Sequence, residues 1–91
     1  MLTVYSKNHC PFCDQAKMFL KNKDIKFEEI RIDDMTNAGA REFIIAAGHR
    51  TVPQIYHNGK LFVEGGFQGL SKLSKDEIVS RMSLTENLGT L

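Results

Sequence analysis

The chain has two cysteines, Cys10 and Cys13, and they bracket Pro11-Phe12. Thiols at this spacing reach each other across one helical turn, so the chemistry on offer is a reversible dithiol/disulfide couple. Pro11 sets the local geometry. It suits the first position of a helix, where its missing N–H would have had no intrahelical partner. Cys10 then falls at the N-cap, facing unpaired backbone N–H groups and the positive end of the helix dipole, a setting that favours thiolate over thiol. Zinc is the competing use of such a pair. Structural zinc takes four ligands, there is no second Cys pair, and His49 and His57 fall outside the His-x(3–5)-His spacing. No metal site is expected.

The elements that must hold this pair are legible from periodicity. Met1–Tyr5 reads as a short strand. Phe12, Ala16, Phe19 and Leu20 stand at i, i+4, i+7 and i+8, the apolar face of a helix from Pro11 to about Lys21 that the polar run Asn22-Lys23-Asp24 closes. Phe27–Ile32 is a second strand. A strand, a helix and a strand make a right-handed βαβ unit with parallel strands. Asp33–Asn37 is rich in helix-start residues, and Ala40, Phe43, Ile44 and Ala47 then mark a second amphipathic helix that stops at Gly48. Val52–His57 is a third strand, Asn58-Gly59 the strongest hairpin signal, and Lys60–Val63 the returning strand. Tyr56 and Phe62 read as packing residues of this hairpin. Gly65-Gly66 ends it, and a short helix over Phe67–Leu73 precedes a capping box, Ser74-x-x-Glu77. The order β-α-β-α-β-β-α predicts an α/β fold, a four-stranded mixed sheet with helices on both faces. One domain is expected over 1–91, with its core in about 1–82 and a short, weakly patterned extension over 83–91.

Composition narrows the classes. With a formal charge of +1, scattered basic residues and 42% apolar content, the chain lacks the charge excess of a nucleic-acid-binding surface. No apolar run has the length to span a bilayer, and the first twenty residues hold no signal-peptide core. The expected location is the cytoplasm, where disulfides are mostly transient and catalytic. A monomer without nucleic-acid or membrane partners is expected.

Three motifs, Cys10-Pro11-Phe12-Cys13, Thr51-Val52-Pro53 and Gly65-Gly66, stand in order on these elements, and with them the chain resembles a glutaredoxin over nearly its whole length. The resemblance implies a thioredoxin-like fold and a cis Val52–Pro53 peptide lying against the dithiol. It also implies that the backbone of Val52, within Thr51-Val52-Pro53, pairs with the cysteinyl part of glutathione like a sheet edge. The γ-glutamyl carboxylate would meet backbone at Gly66, Phe67 and Gln68. Lys7 matches the family position for a basic residue that stabilises the thiolate and contacts the glycyl carboxylate. Arg41 and Arg50 are weaker candidates for that carboxylate. Phe12 would lie beside bound substrate, and His9 reads as an exposed neighbour of the cap. One departure stands out: Gln68 and Gly69 occupy the place where two acidic or hydroxyl side chains commonly follow the Gly-Gly.

The activity implied is glutathione-dependent thiol–disulfide exchange. Cys10 attacks a disulfide or glutathionylated protein, Cys13 resolves the mixed disulfide, and glutathione restores the dithiol as co-substrate, with no bound cofactor. A second reading keeps the dithiol and changes the partner, making the chain a glutaredoxin-like donor to ribonucleotide reductase recycled by thioredoxin reductase. A third is a module binding a [2Fe–2S] cluster, an arrangement that proline after Cys10 disfavours.

Overall fold

A computed structural model describes residues 1–83 in full and the backbone as far as Thr90. In chain order the elements are β1 (Leu2–Ser6), α1 (Pro11–Asn22), β2 (Phe27–Arg31), a 3-10 turn (Met35–Asn37), α2 (Ala38–Ala46), β3 (Gln54–His57), β4 (Lys60–Val63), α3 (Gly66–Ser71) and α4 (Lys75–Thr90). The side chains of the extension expected over 83–91 lie, Ser83 apart, outside the described residues.

The four strands form one mixed sheet in the order β2-β1-β3-β4. β1 pairs parallel with β2, from Leu2 opposite Phe27 to Ser6 opposite Arg31. It pairs antiparallel with β3, Val4 lying opposite Ile55. Alternation along β1 sends Leu2, Val4 and Ser6 to one face, where all three are fully buried. With Ile55, Leu2 and Val4 pack against Ala16 and Leu20 of α1, Leu70 of α3, Leu73, and Ile78 of α4. The other face carries Tyr5 and Tyr56, whose rings meet edge to face at 5.4 Å, and Phe43 of α2 closes over both at 5.9 and 5.3 Å. Helices therefore cover both faces, and the fold is thioredoxin-like as expected.

Local chemistry sets the boundaries. Asn58 and Gly59 both adopt positive φ, 52° and 79°, the conformation that a two-residue hairpin with the twist of its strands requires. Both arms of the capping box form: the Glu77 N–H donates to Ser74 Oγ at 3.1 Å, and the Ser74 N–H to Glu77 Oε1 at 3.2 Å. α2 ends in a Schellman pattern. Gly48 takes φ +89°, its N–H donates to the Ile45 carbonyl at 3.0 Å, and the His49 N–H donates to that of Ile44 at 3.2 Å.

Several boundaries differ from those expected. β3 begins at Gln54, two residues later than the sequence suggests, because Pro53 has no N–H to give the ladder. Asp34 caps a 3-10 turn, accepting from the Thr36 N–H at 2.9 Å, before α2 starts. α3 runs Gly66–Ser71 and leaves Leu73 in the connection to α4. Phe12 does not belong to the buried stripe of α1. Cys13, Ala16 and Leu20 form that stripe, and Phe12 is 52% exposed. At the helix's first turn it stacks on Phe67 of α3, ring centres 6.5 Å apart.

Candidate functional site

Cys10 is the N-cap of α1, with extended backbone (φ −119°, ψ 98°) and Pro11 in the first turn. Its Sγ accepts a hydrogen bond from the Cys13 N–H at 3.2 Å, a donor of the helix start that has no intrahelical partner. The two cysteines form a disulfide, their Cα atoms 5.2 Å apart. They are not equivalent. Cys10 keeps 7% of its surface open, and Cys13 is fully buried beneath the first turn. A sulfur-bearing reactant therefore reaches Cys10.

The loop leading into Cys10 is tied down from the end of β2. The Asn8 N–H donates to Asp33 Oδ2 at 2.9 Å, and the Arg31 guanidinium bonds the same carboxylate at 3.1 and 3.3 Å. The guanidinium above all, then the Asn8 N–H, holds the Asp33 carboxyl below its ordinary range. Behind the pair, Glu29 accepts from Ser6 Oγ at 2.6 Å and from Lys17 Nζ at 2.7 Å. Burial opposes ionisation of Glu29, but the hydrogen bonds from Lys17 and Ser6 outweigh it and the net direction is down.

Opposite Cys10 lies the Val52–Pro53 segment, whose peptide is cis. The Val52 carbonyl is 3.7 Å from Cys10 Sγ. Gln54, buried, anchors the segment by donating from Nε2 to the Thr51 carbonyl at 2.9 Å. Gly66 closes the far side with φ +57°, and a Cβ there would stand 2.6 Å from the Pro53 carbonyl oxygen. Only glycine allows this approach. Gly69 packs more tightly still, since a Cβ on it would fall on the Glu64 carbonyl oxygen. In the sequence Gly69 stands out as a missing ligand group. In the fold its place is steric.

Beside the dithiol these segments enclose a cavity of about 550 Å³. Of the residues singled out from sequence, Phe12, Thr51, Val52, Pro53, Gly66, Phe67 and Gln68 line it. Lys7, Arg41 and Arg50 are exposed and are not among the lining residues. Gly65, of the Gly65-Gly66 motif, lines it as well, and sequence reasoning missed His49, Gln54, Leu61 and Glu64, which complete the lining. His49 arrives there because the Schellman turn carries the chain back over the sheet, where its Nε2 meets the Tyr56 hydroxyl at 2.7 Å. The signal for that turn is Gly48; the signal for Glu64 is its place next to Gly65-Gly66. Among the described residues no group of three His, Cys, Asp or Glu side chains is placed to hold a metal ion.

Residues 2–62 match the family model described as Glutaredoxin. The chain is 34% identical over 76 residues to glutaredoxin 1 of Rickettsia conorii, covering 82% of this chain and 72% of that protein. It is 44% identical over 54 residues to glutaredoxin 3 of Escherichia coli K12, covering 58% of this chain and 63% of that protein. Among solved structures, a buckwheat glutaredoxin–glutathione complex superposes with a TM-score of 0.70 at 25% identity, over 90% of this chain and 76% of that one. The glutaredoxin-like NrdH-redoxin of Escherichia coli, described as having a thioredoxin-like activity profile, superposes at 0.64 and 26% identity, over 87% and 91%.

Proposed function

Because this chain belongs to the glutaredoxin family, we propose that it is a glutathione-dependent thiol–disulfide oxidoreductase acting on protein disulfides and glutathione mixed disulfides. The observation that carries the proposal is the inequality of the two sulfurs. Cys10 is the partly open one, at a helix start and 3.7 Å from the Val52 carbonyl, while Cys13 is sealed behind it.

In the forward direction the Cys10 thiolate attacks one sulfur of the substrate disulfide. A bond forms between Cys10 and that sulfur, and the other sulfur leaves as a thiolate that takes a proton. The Cys13 thiolate then attacks Cys10 Sγ, expels the second substrate thiol and closes the Cys10–Cys13 bond. One glutathione thiolate opens that bond, leaving Cys10 glutathionylated. A second removes the adduct as glutathione disulfide and restores the dithiol. Val52, outside the β3 ladder, offers its backbone to an extended cysteinyl ligand, with Thr51, Pro53, Gly66, Phe67 and Gln68 around it and Phe12 at its flank. The likeness to the buckwheat glutaredoxin, solved as a complex with glutathione, supports this choice of ligand. Lys7, exposed ahead of Cys10, remains the proposed contact of the glycyl carboxylate. The reducing cytoplasm is the compartment in which such a cycle would run.

A second reading draws on the NrdH-redoxin likeness and on the steric need for glycine at position 69. Here the chain would serve ribonucleotide reductase and be recycled by thioredoxin reductase. The test is turnover of a glutathione mixed disulfide with glutathione, glutathione reductase and NADPH, beside a reaction supplied with thioredoxin reductase. Turnover in the first supports the leading proposal; turnover only in the second refutes it. Cys10→Ser is expected to abolish turnover and Cys13→Ser to retain the mixed-disulfide reaction. Equal loss in both would refute the division of roles.

A further inference from the structure

We propose that Glu64 selects the charge of the substrate, its carboxylate receiving the ammonium group of the thiol ligand that enters the cavity beside Cys10. The inference rests on the glutathione reading above and names the side chain that enforces it. Of the residues lining the cavity, His49 and Glu64 are the titratable ones. His49 is already engaged, its Nε2 bonded to the Tyr56 hydroxyl at 2.7 Å. Glu64 takes part in no ion pair and no side-chain hydrogen bond among the described residues. No lysine or arginine lines the cavity, so an entering ammonium meets one carboxylate and no competing cation of that kind.

The backbone that carries Glu64 is held in place. Gly69 packs directly on the Glu64 carbonyl, and the Gly69 N–H donates to the Gly65 carbonyl at 3.4 Å. The contact that bars any side chain from position 69 thus fixes the stem of Glu64 at the cavity rim. An acid introduced at 69 would displace the backbone, whereas Glu64 is exposed in the connection between β4 and α3. Glutathione bears its ammonium on the γ-glutamyl end, away from the sulfur. A ligand of the same shape lacking that group should lose the contribution of Glu64 and nothing else.

The test compares wild type with Glu64→Gln on two mixed disulfides, one of glutathione and one of its desamino analogue. For the glutathione substrate the variant should raise KM roughly two- to fivefold at low ionic strength with kcat unchanged, the size set by an exposed ion pair. The effect should shrink at about 0.5 M salt, where the screening length falls to a few ångströms. For the desamino substrate the two proteins should be equal. A variant that changes KM equally on both substrates, or on neither, overturns the role of Glu64 and leaves the glutathione reading standing. A wild type that turns over neither substrate with glutathione, yet works with thioredoxin reductase, overturns both.

Discussion

Gly69→Ala adds one methyl group, and the structure sets the sign of its effect. In an ordinary helix interior this substitution stabilises, by about 0.5–1 kcal/mol, because glycine loses more backbone freedom on folding. At Gly69 the added Cβ falls on the Glu64 carbonyl oxygen and comes within 3.0 Å of Val63 Cγ2. The obstructing oxygen is backbone, so no change of rotamer relieves the collision, and the turn between β4 and α3 must move. Overpacking of this kind costs about 1–3 kcal/mol, and a backbone clash belongs at the upper end. After the helix gain is subtracted, a net loss of about 2 kcal/mol remains, which for a domain of this size lowers Tm by roughly 8–16 °C. Gly39→Ala supplies the control. It lies within α2 with nothing inside 4 Å of its would-be Cβ, so the same methyl should stabilise by about 0.5–1 kcal/mol. Urea and thermal unfolding followed by far-ultraviolet circular dichroism would measure both. A Gly69→Ala protein as stable as wild type, or shifted in the same direction as Gly39→Ala, would refute the steric account of position 69.

Two further substitutions test local chemistry. Ser74→Ala removes the hydroxyl that accepts from the Glu77 N–H at the start of α4, and should cost about 0.5–2 kcal/mol in urea unfolding. An unchanged midpoint would mean that the cap adds nothing. Glu29→Gln tests the depressed carboxyl held by Lys17 and Ser6. A folded pKa below the unfolded one means stability that is present above the unfolded value, near 4.3, and is lost as pH falls through the folded value. The stability gap between wild type and Glu29→Gln should therefore close on acidification from pH 6 to about pH 2.5; a gap independent of pH would refute the ion-pair account.

Beyond the order of the elements and the family motifs, what the sequence disclosed was local. The hairpin at Asn58-Gly59, the capping box at Ser74 and the proline-led start of α1 each depend on residues within one turn, and each formed where expected. The residues that sequence reasoning missed depend on how distant segments meet. His49 reaches the cavity because a turn ending α2 folds back onto Tyr56 of β3, and nothing in the spacing of those two residues announces it. Phe12 has helical spacing with Ala16 and Leu20, yet at the first turn of the helix its ring is half exposed and meets Phe67 of α3 rather than the buried core. Gly69 reads in sequence as the lack of a side chain. Only the approach of the Glu64 carbonyl shows that no side chain fits there.

The sheet order has a consequence for how copies of the protein behave in solution. The buried register of β1 and β3 occupies the middle of the sheet, and β2 and β4 form its borders. A border strand offers a row of unpaired N–H and C=O groups on which another chain can stack, the first step toward fibrous assembly. Here β2 brings Glu28, Glu29 and Arg31 to one border, and β4 starts the other with Lys60. Stacking on either border would strip water from those charges, so the most aggregation-prone segments of the chain lie inside a fence of ionic side chains.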